Sequence, residues 1–277
     1  ITGVIAFFLS PIADNLTTAL ILGTVVTVAG RGNKAFIVPA LINIVVSANA
    51  GGAFSPFGDI TTLMVWQRGF VSFFDFFNIF LPSVVNYVIP AAIIYFAIPN
   101  EVPKGDGKKV TIQPGGNVIA ALGILTISIT VAGHQVLHMP PVFGMMFGLG
   151  MLGTYGYFLK TRYPGKNKFD IFELTGKAEW DTLLFFYGIL VCVGGLAAVG
   201  YLKLISDDMY VTLGATYANI LVGFLSAIID NIPIVYAVLT AHPSMDMGQW
   251  LLITLTAGVG GSLLSIGSAA GVALMGQ

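Results

Sequence analysis

The sequence predicts an all-α polytopic membrane protein built as an inverted repeat, with two re-entrant hairpins and two broken transmembrane helices. Three observations lead to this class: an apolar composition, a duplicated polar motif and two apolar segments interrupted by glycines. Of the 277 residues, 56% are hydrophobic and 9% are charged, and the mean hydropathy is +0.88. A water-soluble domain would be about a quarter charged. The composition therefore indicates a chain that lies in a bilayer.

Several apolar runs approach the roughly 20 residues that cross a bilayer as a helix. Because backbone groups cannot stay unpaired in hydrocarbon, each run is expected to be helical. The predicted crossing helices are 78–98, 117–133, 140–159 and 181–203. The polar stretch 100–116 is predicted to be a cytoplasmic linker between a first repeat, 1–99, and a second, 117–277. Asp207 and Asp208 indicate a short acidic turn after the last crossing helix.

The pattern Ser-x-x-x-Asp-Asn occurs twice inside apolar sequence, at 10–15 and at 226–231. Pro11 removes a backbone donor from the first copy, and a continuous helix would place a carboxylate in mid-membrane. We therefore expect re-entrant hairpins at 1–30 and 210–241, each with its polar motif at the tip. The first arm of the second hairpin is long enough to span the membrane.

Glycine-rich interruptions divide two further apolar segments, 35–68 and 247–276. Several glycines and neighbouring polar residues cannot continue a stable helix. The two interruptions align without gaps: Gly51, Gly52 and Gly58 on Gly260, Gly261 and Gly267. Broken helices of this kind supply free backbone groups that bind ions near the membrane midplane. The order hairpin then broken helix thus occurs twice.

The distribution of basic residues fits this topology. If Arg31 and Lys34 are cytoplasmic, ten of the twelve lysines and arginines lie inside, leaving Arg68 and Lys203 outside. This distribution satisfies the positive-inside rule. The two hairpins then enter from opposite faces, as an inverted repeat requires.

Three of the thirteen acidic residues, Asp14, Asp59 and Asp230, fall deep within apolar segments. No lysine or arginine stands at a comparable depth, so each carboxylate needs a bound proton or cation to offset its burial. A hard cation such as Na⁺ prefers oxygen ligands of this kind. A carboxylate that holds either an ion or a proton would couple two opposing fluxes. Asp59 has no acidic counterpart in the second copy, where Ser268 stands.

Four stretches, Ser10–Thr18, Asn49–Thr62, Glu179–Gly188 and Ser226–Pro233, resemble the NhaD-type Na⁺/H⁺ antiporters of the ion transporter superfamily. The resemblance implies exchange of Na⁺ or Li⁺ for H⁺ by an elevator-like movement, without a cofactor. It also implies a multi-pass protein of the bacterial inner membrane and a homodimer formed through a scaffold domain. The family's opening helices and its residues after Gln277 are absent from this sequence, so we expect a fragment.

The same resemblance implies one site for the cation and the proton, and therefore for the metal ion Na⁺ or Li⁺. Its residues are Asp14, Asn15, Thr18, Asn49, Ser55, Asp59, Asp230, Asn231, Gly261 and Ser265. The lipid bilayer is the expected partner. The net charge of −1 gives no reason to expect nucleic acid. The single cysteine, Cys192, cannot form a disulfide within the chain.

Two other functions deserve comparison. Anion transporters of the same superfamily carry dicarboxylates, citrate or arsenite, but an anion site should offer cationic or neutral donors, and three deep aspartates argue against one. An intramembrane aspartyl protease also needs two buried aspartates. It would leave the paired hairpins unexplained. We therefore predict a secondary active transporter and not an enzyme.

Overall fold

The structure is a computed structural model that describes residues 1–30, 32–97, 115–163, 171–176 and 180–275. These residues are helical and contain no strand. The helices are α1 Thr2–Ala13, α2 Asn15–Gly30, α3 Lys34–Gly52, α4 Ile60–Gln67, α5 Phe80–Ala97, α6 Gly116–Leu137, α7 Pro141–Arg162, α8 Ile171–Gly176, α9 Trp180–Ala198, α10 Tyr201–Leu225, α11 Asn231–Ala241, α12 Met247–Gly260 and α13 Ala269–Met275. A 3₁₀ helix, Phe73–Ile79, leads into α5. The predicted linker 100–116 lies almost entirely outside the described residues.

Five helical stretches are long and apolar enough to cross a membrane: Lys34–Gly52, Phe73–Phe96, Gly116–Leu137, Pro141–Arg162 and Trp180–Ala198. The chain is therefore a multi-pass helical membrane protein, as its composition predicts. Four apolar helices are shorter, namely α1, α2, α11 and α12. Each polar motif lies next to such short helices.

The prediction of an acidic turn at Asp207 and Asp208 is wrong. Both residues lie inside α10, and both are exposed, so the helix needs no partner for their carboxylates. The turn comes earlier, where Gly200 adopts a φ of 85° and α9 has already ended. A second break at Gly214, with φ 74° and ψ 158°, divides α10. The helical arm that reaches the second polar motif is therefore shorter than a membrane-spanning helix.

Contacts between Cα atoms divide the chain into two units, residues 1–106 with 186–277 and residues 107–185. In the first unit, α1 and α2 both pack on α3, and α10 packs on α12. Small and branched apolar side chains fill the interior around α3. The buried members are Ala6, Ala19, Leu22, Val26, Ala40, Ile44, Ala48, Ala270 and Leu274.

Each hairpin contacts its broken helix through a serine. Ser10 donates its hydroxyl to the carbonyl oxygen of Ala48, at 2.7 Å. In the second half, Ser226 donates to the carbonyl oxygen of Ala257, also at 2.7 Å. Ser10 and Ser226 occupy the same place in the duplicated motif, and Ala48 and Ala257 the same place in the glycine alignment.

The asparagines that follow the motif aspartates repeat the same kind of contact. The backbone N–H of Asn15 donates to the carbonyl oxygen of Gly58, at 3.1 Å, and that of Asn231 to the carbonyl oxygen of Gly267, at 3.3 Å. Each broken helix thus satisfies one free N–H group of a hairpin tip through a carbonyl of its own interruption.

Glycine permits the closest approach in both halves. A Cβ atom on Gly51 would collide with the backbone carbonyl of Phe7, and one on Gly260 would collide with that of Gly223. Phe7 and Gly223 again occupy matching positions of the two copies. Only a residue without a side chain allows these helices to meet backbone to backbone.

In the second unit, α6 and α7 form a pair with a similar device. Gly144 lies against Thr130, and Gly148 lies against Thr126. Lipid supplies no hydrophobic driving force between helices, so membrane helices associate through close packing. Small residues at such spacing allow this close approach.

Alanine at Gly51 or at Gly260 is expected to lower the free energy of unfolding by about 1–3 kcal/mol, the usual result of overpacking a tight contact. The measurement is the midpoint of thermal unfolding of the full-length protein in detergent. Gly123→Ala is the control, because a Cβ atom there meets nothing within 4 Å. Equal midpoints for Gly51→Ala and Gly123→Ala would contradict the close approach.

Candidate functional site

Six polar side chains meet where both hairpin tips and both interrupted helices come together in the first unit. We call this group the polar cluster. Its members are Asn15, Asn49, Asp59, Asn231, Ser262 and Ser268. Asn15 and Asn231 begin α2 and α11, while Asn49 lies near the end of α3. Asn49 is 0% exposed, Asn231 2% and Asp59 4%.

Asp59 lies at the centre of the polar cluster and caps α4. Its Oδ1 accepts hydrogen bonds from the backbone N–H of Thr61, at 2.9 Å, and from the hydroxyl of Thr61, at 3.0 Å. Its Oδ2 accepts from the side-chain amides of Asn15, at 2.8 Å, and Asn231, at 3.0 Å. All four donors are neutral groups. One carboxylate oxygen is therefore held by both copies of the duplicated motif.

Asn49 links this carboxylate to the second broken helix. Its amide oxygen accepts a hydrogen bond from Asn15, at 2.9 Å. Its amide nitrogen donates to the hydroxyl oxygens of Ser262, at 2.8 Å, and Ser268, at 3.0 Å. Ser268 matches Asp59 in the glycine alignment, so the two copies contribute different chemistry at equivalent positions.

Asp14 and Asp230 lie at the hairpin tips, next to the polar cluster and only half-buried. The carboxylate of Asp230 accepts a hydrogen bond from the N–H of Ile232, at 2.9 Å, and so caps α11. Asp14 directly precedes α2. Each is also close enough to Asp59 to be repelled by its charge.

Asp14 also adopts an unusual backbone conformation, with φ 66° and ψ 153°. This combination lies in a region that residues other than glycine rarely occupy and that costs of order 1–3 kcal/mol. Asp230 has φ −34° and does not share it. Strained residues of this kind are concentrated at functional sites.

Thr18 is fully buried one turn into α2. Its hydroxyl oxygen has no hydrogen-bond partner among the described residues. A buried polar atom without a partner calls for a ligand such as an ion or a water. No described hydrogen bond joins Thr18 to the polar cluster, and its place in the site stays a prediction.

Three other predicted site residues lie outside the polar cluster. Ser55 donates its hydroxyl to the carbonyl of Pro11, at 2.8 Å, and so joins the first interruption to the first hairpin. Gly261 caps α12 and has no side chain to contribute. Ser265 is exposed and makes no described side-chain contact with the cluster.

Two members of the cluster were not among the predicted site residues. A signal for Ser268 was present, because the glycine alignment places it opposite Asp59. Ser262 directly follows the glycine pair of the second interruption, where the helix ends. Because broken helices line ion sites in membrane transporters, the hydroxyl at this helix end was the available signal for Ser262.

The oxygen atoms collected here suit a small hard cation. A carboxylate, amide and hydroxyl oxygens and the carbonyls of two interrupted helices provide the ligand type that such ions prefer. A single central carboxylate can bind one monovalent cation or one proton.

Comparisons with known proteins place the chain among membrane transporters. A family described as citrate transporters matches residues 1–258. The Na⁺/H⁺ antiporter NhaD of Vibrio parahaemolyticus is 52% identical over 299 residues, and NhaD of Alkalimonas amylolytica is 54% identical over 300. Sodium/proton antiporter 1 of Arabidopsis thaliana is 33% identical over 293 residues.

The alignment includes 100% of this chain in each case, but only part of the relatives. It covers 72% of the Vibrio protein, 62% of the Alkalimonas protein and 50% of the Arabidopsis protein. The alignments to the bacterial proteins span the whole chain and so include both polar motifs and both interrupted helices. The chain belongs to the NhaD family of Na⁺/H⁺ antiporters.

Proposed function

We propose that this chain carries the ion site of a secondary active transporter that exchanges Na⁺ or Li⁺ for H⁺ across the bacterial inner membrane. The observation that supports this most directly is the carboxylate of Asp59, buried among neutral donors from both hairpin tips. Burial without a basic partner favours a bound cation or proton over an empty charged site. The names of the bacterial relatives describe the same exchange.

Binding of the cation would rearrange the polar cluster. In the structure, Asn15 and Asn231 donate to Asp59. A cation at this carboxylate would bind amide oxygens, so the two asparagine side chains would rotate or lose their hydrogen bonds to Asp59. The free hydroxyl of Thr18 would add a further oxygen. A proton on Asp59 would remove the charge that attracts the cation, and release and uptake would alternate.

The matched contacts of the two halves support the inverted repeat and the re-entrant hairpins. Serine, asparagine and glycine contacts recur at equivalent positions in both copies, although the central side chains differ. We retain from the family resemblance the elevator-like movement and the homodimer formed through a scaffold domain. The pair α6 and α7, in the second unit, would belong to that scaffold.

Anion transport is the second candidate, because the matching family is described as citrate transporters. A citrate site would need cationic groups or several free donors, whereas the centre of the polar cluster is a carboxylate whose donors are already engaged. Relatives that are about half identical to this chain bear the name of cation antiporters. Both points favour Na⁺/H⁺ exchange. Uptake of labelled citrate without any Na⁺-driven proton flux would reverse this preference.

Asp59→Asn is expected to reduce Na⁺/H⁺ exchange by about 100-fold or more, because loss of a buried charge partner costs 3–5 kcal/mol. The measurement is collapse of a pH gradient by added Na⁺ or Li⁺ in vesicles that contain the full-length protein. Asp207→Asn is the control, since that carboxylate is exposed and far from either motif in sequence. Normal exchange by the Asp59 variant would refute the proposed site.

Asp14→Asn and Asp230→Asn are each expected to weaken Na⁺ binding by about 10-fold, because each removes a negative charge near the centre. The apparent KM for Na⁺ in the same vesicle assay reports the change. The maximal rate should fall less than in the Asp59 variant. If both variants keep the normal KM and rate, Asp14 and Asp230 have no role in the site.

Asn15→Ala and Asn231→Ala are expected to be non-additive, because both side chains donate to the same oxygen of Asp59. Residues that share one hydrogen-bond network show coupling of about 0.5–3 kcal/mol. The apparent Na⁺ affinity of both single variants and the double variant gives this coupling energy. Strict additivity would mean that the two asparagines act on separate sites.

A further inference from the structure

Gly258 differs from the other glycines of the two interrupted helices. It is buried in the last turn of α12, in a helical backbone conformation that any residue can adopt. Beyond its own helical turn, a Cβ atom built there would have two atoms of the described residues within 4 Å. They are Oδ2 of Asp59, at 3.9 Å, and the carbonyl oxygen of Asn49, at 4.0 Å. Both are ordinary van der Waals distances, so alanine would fit at this position.

Packing explains the other glycines of the interruptions. A Cβ atom on any of them would collide with a backbone atom. These residues are Gly51, Gly52, Gly58, Gly260, Gly261 and Gly267. At position 258, by contrast, packing permits alanine, and alanine is also the better helix former. The glycine there therefore calls for a reason other than the fold.

The space beside Gly258 is bordered by two oxygen atoms of the polar cluster. One is Oδ2 of Asp59, to which Asn15 and Asn231 donate hydrogen bonds. The other is the carbonyl oxygen of Asn49, one of the last four in α3, which an α-helix leaves without a partner of its own. A carboxylate oxygen and a carbonyl oxygen are the ligands that a hard cation prefers.

Two helix ends make the same place more negative. Asn49 lies in the last turn of α3, and Gly258 lies in the last turn of α12. The C-terminal end of a helix carries a partial negative charge that stabilises cations. In membrane transporters, the C-terminal ends of interrupted helices bind ions in this way. The carboxylate of Asp59 and the two helix ends thus all favour a cation beside Gly258.

The glycine alignment adds a contrast between the two copies. Asn49 and Gly258 occupy matching positions of the two interrupted helices. In the first copy, the side chain of Asn49 donates to Ser262 and Ser268. In the second copy there is no side chain, and a Cβ atom would already be in contact with Oδ2 of Asp59. One copy therefore supplies an amide group, and the other supplies space next to the carboxylate.

We propose that the transported cation binds between Gly258, Oδ2 of Asp59 and the carbonyl oxygen of Asn49, and that Gly258 sets the largest cation that fits. The proposal rests on the proposed function, since it assigns the position of the transported ion. Gly258 is thus a specificity-determining residue, which acts through the space that it leaves beside the carboxylate.

Ion size connects this position to selectivity. Na⁺ is nearly as large as Ca²⁺, which binds oxygen at about 2.3–2.6 Å. An ion at that distance from both oxygens, on the side of Gly258, would overlap a methyl group at the Cβ position. Li⁺ is nearly as small as Mg²⁺, which binds oxygen at about 2.0–2.1 Å. It lies closer to the two oxygens and therefore farther from the added methyl group.

Gly258→Ala tests the position. Collapse of a pH gradient is measured at a series of Na⁺ and of Li⁺ concentrations in vesicles that contain the full-length protein. The apparent KM for Na⁺ is expected to rise by about tenfold or more, and that for Li⁺ by a smaller factor, because ion selectivity follows cavity size. The ratio of the two KM values therefore shifts in favour of Li⁺.

Two further variants separate an effect on the site from an effect on packing. Gly123→Ala makes the same change in α6, where a Cβ atom meets nothing within 4 Å, and should keep both KM values. Gly260→Ala would collide with the carbonyl of Gly223 and should lower the midpoint of thermal unfolding. Gly258→Ala should keep or raise that midpoint, because alanine fits there and favours the helix.

Three results would overturn the assignment. Gly258→Ala could keep the KM values of Gly123→Ala, which would mean that the ion binds elsewhere. It could raise both KM values equally, which would exclude selection by size. It could also lower the thermal midpoint as much as Gly260→Ala does, which would make the effect one of packing. Exchange by the unaltered protein is measured first. If it is present and Gly258→Ala fails the test, the position alone is wrong; if it is absent, the proposed function fails.

Discussion

A carboxylate buried in a membrane protein must have donors or an ion, and the arrangement around Asp59 depends on this requirement. Its Oδ2 is shared by Asn15 and Asn231, one from each hairpin tip. Neither half of the duplicated chain could provide these partners alone. The contact joins residues 172 positions apart in sequence. It explains why two hairpins and two interrupted helices converge at one point, since each supplies part of the same hydrogen-bond network.

Much of this arrangement could be predicted from local sequence patterns. The duplicated motif and the gapless glycine alignment predicted which residues of the two halves correspond, and the structure places matching contacts at those positions. Such patterns are informative because two helix backbones can touch only where a glycine stands. The position of the glycine therefore marks the point of contact. The composition alone was enough to predict a helical membrane protein, since backbone groups in lipid have few other ways to be satisfied.

The relative roles of the aspartates were harder to predict. The duplicated motif indicated Asp14 and Asp230, which the structure places half-buried at the hairpin tips. Asp59, which has no acidic counterpart in the second copy, lies at the centre. Which carboxylate points inward depends on the crossing of four segments distant in sequence. The same limit applies to Ser265, predicted for the site but exposed, and to Ser262, which lies one turn earlier and touches Asn49. The break at Gly214 was missed because one glycine in a long apolar run is a weak signal.

The two copies keep the same backbone contacts but differ at one decisive position, where Ser268 stands opposite Asp59. A serine there leaves Asp59 as the one carboxylate of the polar cluster, so in the proposed site one monovalent cation or one proton would neutralise the cluster. A second aspartate at 268 would leave uncompensated charge in apolar surroundings, at a cost of several kcal/mol. Divergence of one duplicated residue would thus set the charge balance of the proposed site, while the backbone contacts around it recur in both halves.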